Sequence, residues 1–135
     1  MNLQDHRSKL RRAFVAALAV YWLALFIGTH APSPSLEPAV PNQDKVLHVV
    51  AYAGLAFLLS GVNIGRGRHS TRWTTEVFVI VAFYGMLDEL TQSFVPGRFA
   101  EVLDWVADAV GALLGIGLFA VFSSMVHRFA RAHNE

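Results

Sequence analysis

The sequence has no cysteine, which excludes disulfides, thiolate metal sites and a cysteine nucleophile. It is also poor in charge. Only 16% of its 135 residues are charged while 54% are hydrophobic, against about 25% charged in typical soluble chains. A soluble domain this small leaves much of its surface in water and needs charge to cover it. The formal net charge is only +1, and no basic stripe is interleaved with aromatics, so nothing points to nucleic acid. Internal repeats, low-complexity tracts and a separate soluble domain are lacking too. The length permits one domain, and the blocked apolar residues make membrane its class.

Four segments are each near the roughly 20 residues a helix needs to cross the hydrocarbon core. They run from about Ala13 to Gly28, Val46 to Ile64, Trp73 to Phe94 and Trp105 to Val126. The third is purely apolar only to Leu87 and reaches full length by continuing through Asp88, Glu89 and Gln92. Between the first two lies HAPSPSLEPAVP, His30 to Pro41, with four prolines that forbid a continuous helix. Pro96-Gly97 signals a turn after the third, and the linker GRGRHSTR precedes it.

Basic residues orient the spans. Arg7, Lys9, Arg11 and Arg12, then Arg66, Arg68 and Arg72, then Arg128 and Arg131 place nine of the eleven Lys and Arg residues on one side. The opposite loops hold only Lys45 and Arg98. The expected fold is all-α: a polytopic, four-transmembrane-helix bundle with both termini cytoplasmic, one domain over residues 1–135, multi-pass in the cell inner membrane. A competing reading makes the N-terminal stretch a cleaved signal peptide, although its apolar run contains Tyr21, Trp22 and Phe26 and exceeds the usual core length.

Charged side chains within a span cost a few kcal/mol or more each and usually face a bundle interior or cavity. Seven of the ten acidic residues fall on the outer half: Glu37, Asp44, Asp88, Glu89, Glu101, Asp104 and Asp108. Asp44, His48 and Tyr52 recur every four residues and so share one helix face. Tyr84, Asp88 and Gln92 repeat that spacing, and Asp104, Asp108, Gly111 and Gly115 line a third face. Three polar stripes at one depth imply a shared pocket, closed on the outside by the loop carrying Arg98. Individually, Asp44 and Asp104 read equally well as helix caps, His48 as an interhelical donor, Tyr84 as an interface aromatic, and Gly111-x-x-x-Gly115 as a packing motif. Glu76 lies near the cytoplasmic end and stands apart from the cluster.

Three segments resemble the VanZ-like membrane proteins: DKVLHVVAY (Asp44 to Tyr52), DELTQSFVPGR (Asp88 to Arg98) and DWVADAVGALLG (Asp104 to Gly115). The resemblance covers roughly residues 42 to 120 and carries over Asp44, Lys45, His48, Tyr52, Asp88, Glu89, Gln92, Phe94, Arg98, Asp104, Gly111 and Gly115 as the family's positions. Residue 108 is Asp here where the family usually has Asn, which adds a negative charge. The resemblance implies action on lipid head groups or lipid-linked envelope intermediates, and a link to resistance against the glycopeptide teicoplanin.

Three functions follow as alternatives. An enzyme, a head-group transferase or hydrolase, would act on a phosphate-bearing lipid at the outer face of a bacterial inner membrane. Arg98 would clamp the phosphate, with Gln92, Tyr52, Asp44, Lys45 and Asp108 as further binding groups. His48 would be the acid or base, while Asp88, Glu89, Asp104 and Asp108 would hold a divalent metal or position a nucleophile. Carboxylates this close call for shared protons or a cation, and oxygen ligands favour magnesium, calcium or manganese over zinc. The second alternative is a binding module without turnover that holds an envelope precursor. The third is a structural bundle locked by its polar cluster. A proton pathway is disfavoured, since no comparable polar residues continue toward the other side.

Overall fold

A computed structural model describes residues 3–32, 43–63 and 71–132. Four helices follow in chain order: α1 (Leu3–His30), α2 (Gln43–Gly61), α3 (Thr71–Gln92) and α4 (Val102–Ala132). There is no strand among the described residues. Glu37, most of the proline-rich segment, Ile64 and the arginines at 66 and 68 lie outside them.

The boundaries follow local chemistry. α1 stops two residues before Pro32, and α2 opens with Asp44 in its first turn, where a carboxylate meets the free N–H groups. α3 ends at Gln92, and the chain turns through Pro96 and Gly97. Gly97 has φ 82, a left-handed value that costs a residue without Cβ little. At the start of α4 the carbonyl of Glu101 accepts from the N–H groups of Asp104 and Trp105, at 3.1 and 3.3 Å. α1 and α4 both run past their apolar cores, at their N- and C-terminal ends respectively.

Three helices contain a stretch long and apolar enough to cross a membrane: Ser8–His30, Gln43–Gly61 and Val102–Phe129. α3 differs from expectation. Its 22 residues reach about 33 Å at 1.5 Å per residue, which is ample length. Arg72, Glu76, Asp88, Glu89 and Gln92 nevertheless dilute its hydropathy, and it is not among the three.

Burial is inverted relative to a water-soluble bundle. Val20, Ile27, Leu113, Leu118 and Phe129 are all at least 58% exposed, whereas Asp88 and Asp108 are 2% and 0% exposed. Contiguous apolar exterior on this scale suits lipid rather than water. α2 is the hub: it packs against each of the other three helices, most extensively against α4. That contact depends on two glycines. A Cβ on Gly111 would collide with the carbonyl oxygen of Val49, and one on Gly115 with that of Ala53. Both obstacles are backbone, so only a bare Cα permits the approach, and the expected packing role of this pair is what the structure displays. At the opposite end Phe14, Phe57, Phe119 and Phe122 tie α1, α2 and α4 together, with ring centroids 5.4 to 6.4 Å apart.

Candidate functional site

Four helix ends meet at one end of the bundle: the C-terminal ends of α1 and α3 and the N-terminal ends of α2 and α4. The four-residue spacing on α2 carries Asp44, His48 and Tyr52 down one face, each engaging a different layer of the cluster.

The outermost layer centres on Lys45. Its Nζ lies 3.0 Å from Asp44 Oδ2, 3.0 Å from Glu101 Oε2 and 2.9 Å from Asp104 Oδ1. One ammonium thus bridges α2, the α3–α4 turn and α4. One level in, His48 Nδ1 sits 2.8 Å from Asp108 Oδ1 and 3.9 Å from Glu89 Oε1. With Nδ1–H donating to Asp108, Nε2 is left as an acceptor, and it makes no hydrogen bond among the described residues. The other oxygen of Glu89, Oε2, accepts from the backbone N–H of Glu101 at 3.0 Å, which joins α3 to the entry of α4.

The innermost layer is a carboxylate surrounded by donors. Asp88 Oδ1 accepts from Thr29 Oγ1 at 3.1 Å and from Tyr84 OH at 3.3 Å. Asp88 Oδ2 accepts from Tyr52 OH at 3.2 Å and from Gln92 Nε2 at 2.8 Å. His30 completes the surroundings, its Nδ1 3.8 Å from Asp88 Oδ1 and its Nε2 2.9 Å from Thr91 Oγ1. A buried carboxylate with this many donors has its lone pairs satisfied without a metal.

Arg98 reaches back from the turn to α1. Its Nε and Nη2 donate to the carbonyls of Ala31 and Gly28, each at 3.0 Å, and Nη1 lies 3.5 Å from Gln92 Oε1. The guanidinium therefore caps carbonyls that the end of α1 leaves without intrahelical partners. A guanidinium has five N–H donors, so this cap does not exhaust it.

Beside these layers lies a cleft of about 520 Å³ between α1 and α2, lined at one end by Arg98, Asp44 and His48 and further in by Tyr52, Leu25 and Ala51. The pocket expected on the shared faces of α2, α3 and α4 is thus differently placed. Those faces pack so closely, through the glycines and through buried Asp88 and Asp108, that the space opens on the α1 side. Of the expected site residues, Asp44, His48, Tyr52 and Arg98 line the cleft. Lys45, Glu89, Asp104 and Asp108 form the layers behind His48, and Asp88 and Gln92 form the core behind Tyr52. Phe94, 86% exposed, belongs to neither group.

Sequence reasoning missed the contribution of α1. Thr29 and His30 close the first apolar run with two adjacent polar residues, which was the available signal. Tyr84 is also more than an interface aromatic, since its hydroxyl points at Asp88.

A family model described as VanZ/LLP1 matches residues 12–123. The chain belongs to the VanZ/LLP1 family. No curated protein and no solved structure matches it. The VanZ/LLP1 match takes in all four helices, so α1, with Thr29 and His30, is part of the family domain as well as the three helices that carried the resemblance.

Proposed function

We propose that this VanZ/LLP1 member is a multi-pass inner-membrane protein, a four-span bundle with both termini in the cytoplasm, whose α1–α2 cleft accepts a phosphate-bearing lipid from the outer leaflet. The observation that carries this reading is the polarity gradient along the cleft. Arg98, His48 and Asp44 gather at its mouth, while Leu25, Ala24 and Ala51 line its depth. A head group at the mouth and an acyl chain alongside α1 match that gradient, as amphiphile sites generally combine an apolar wall with a few convergent polar groups. The free donors of Arg98 suit a phosphate. His48, held by Asp108 and lining the cleft, suits proton transfer to or from a head-group oxygen. The clustering of Lys9, Arg11, Arg12, Arg72 and Arg128 at the far end supports a cytoplasmic placement for that end, and α3 spans as a companion of its three more apolar neighbours.

On this reading the protein is a head-group transferase or hydrolase of lipid-linked envelope intermediates, and an altered precursor supply would underlie the teicoplanin resistance implied by the family resemblance. Native mass spectrometry of the protein released from native lipid tests the binding step. A phosphate-bearing lipid should remain bound to the wild type and be lost from Ala24→Trp, which fills the cleft. Retention of the same lipid by Ala24→Trp would exclude the cleft. Envelope-lipid profiles and teicoplanin susceptibility of cells carrying His48→Ala test turnover. A second reading, binding without chemistry, is favoured by the engagement of Arg98 and Lys45 in existing bonds. It predicts that His48→Ala leaves the lipid profile intact while Arg98→Ala lowers lipid retention.

A further inference from the structure

Two groups of potential ligands share Asp104. In the outer one, Asp44, Glu101 and Asp104 offer oxygens within 4.8 Å of one another. That group already holds a cation, because Lys45 Nζ lies 2.9 to 3.0 Å from all three carboxylates. In the inner one a ring nitrogen of His48, an oxygen of Glu89 and an oxygen of Asp104 come equally close, with no Lys or Arg ion-paired to Glu89 or His48 among the described residues. The side chains of His48, Glu89 and Asp104 are only 12%, 7% and 11% exposed.

The second observation is independent of that clustering. Glu89 Oε1 is buried without a hydrogen-bond partner, and so is Asp108 Oδ2. An unpaired buried carboxylate oxygen is costly. Glu89 Oε1 faces the imidazole of His48 from 3.9 Å, beyond hydrogen-bond reach. A proton on that oxygen would only exchange an unpaired acceptor for an unpaired donor. A cation satisfies it and also offsets the repulsion among Glu89, Asp104 and Asp108. We infer that His48, Glu89 and Asp104 form a binding site for one divalent transition-metal ion behind the α1–α2 cleft. One nitrogen and two carboxylate ligands suit manganese or zinc better than magnesium or calcium, which prefer oxygen alone.

The site shares His48 with the proposed lipid cleft but does not depend on lipid binding, and the test reads metal alone. Full-length protein in nanodiscs is stripped with chelator and titrated with MnCl2, bound ion being followed by loss of the free-ion electron paramagnetic resonance signal. One Mn2+ per chain is expected, displaced by Zn2+. Pulsed resonance of the bound ion should reveal coupling to an imidazole nitrogen, a readout that needs no variant. Glu89→Gln, which keeps the bond to the Glu101 N–H, should weaken binding at least as much as loss of an outer-shell partner, roughly 10-fold or more, while Glu101→Gln leaves it unchanged. Absence of saturable binding, bound Mn2+ without nitrogen coupling, or loss of binding in Glu101→Gln but not in Glu89→Gln would each overturn the assignment. Retained lipid in the cleft together with absent metal would reject the metal site and leave the lipid reading standing.

Discussion

Asp88→Asn probes the innermost layer in a way whose size the geometry sets. The carboxylate is 1% exposed at its side chain and accepts from Thr29, Tyr84, Tyr52 and Gln92 at 2.8 to 3.3 Å. Asparagine turns one oxygen into a donor, and either choice faces it toward two existing donors. The Oδ1 side is the cheaper, because Thr29 and Tyr84 are hydroxyls that can rotate to accept, whereas the Gln92 amide would have to turn its oxygen away from Arg98. The Tyr52 and Gln92 bonds then persist but lose their charge assistance. Hydrogen bonds to charged groups contribute about 1.5–3 kcal/mol and neutral ones about 0.5–1.5, while interhelical bonds in membranes average nearer 0.6. Relief of a buried charge offsets part of the loss. The expected destabilisation is about 2–4 kcal/mol, with Asp88→Leu worse because it leaves four donors without an acceptor. Unfolding by sodium dodecyl sulfate in mixed micelles, followed through Trp22, Trp73 and Trp105, measures both. If Asp88→Asn proved neutral or stabilising, the donors around Asp88 would not be holding a charge, and the reading of this layer would fail.

Three further substitutions address the α2–α4 contact and the outer layer. Gly115→Ala should destabilise by about 1–3 kcal/mol through overpacking, since its Cβ meets the Ala53 carbonyl. Gly117→Ala, which has nothing within 4 Å, should gain up to about 1 kcal/mol from helix propensity; the same micelle assay separates them, and equal effects would contradict the α2–α4 contact. Lys45→Met removes the shared ammonium from three carboxylates and should raise the affinity of the outer group for Mn2+, giving a second bound ion per chain in the resonance titration. A stoichiometry still at one would mean that Lys45 is not what keeps metal out of that group.

Much of this architecture was legible in the chain. Apolar runs bounded by Pro32, by the glycine-rich linker and by Pro96-Gly97 located all four helices. The four-residue spacing of Asp44, His48 and Tyr52 gave their common face, and Gly111 and Gly115 gave the close approach. Periodicity assigns a residue to a face, however, and does not say which neighbour that face meets. The cleft therefore opened between α1 and α2 rather than among α2, α3 and α4. Thr29 and His30 gave an ambiguous signal for a related reason: a polar pair at the end of a span looks like a span end until another helix brings Asp88 beside it. Arg98 shows the same limit, its spacing from Gln92 being readable but its reach to the carbonyls of Gly28 and Ala31 depending on how α1 docks.

The composition of α3 has a consequence for biogenesis. A segment carrying Arg72 and Glu76 at one end and Asp88, Glu89 and Gln92 at the other partitions poorly into lipid alone, because each charge at depth carries a penalty of a few kcal/mol. Arg72 pairs with Glu76 within α3, but Asp88 also draws on Thr29 of α1 and Tyr52 of α2, Glu89 draws on the Glu101 N–H at the entry of α4, and α4 emerges from the ribosome last. On the four-span reading proposed above, α3 should accordingly linger at the translocon until α4 has been made, so that truncation before residue 102 strands it outside the bilayer while α1 and α2 integrate normally.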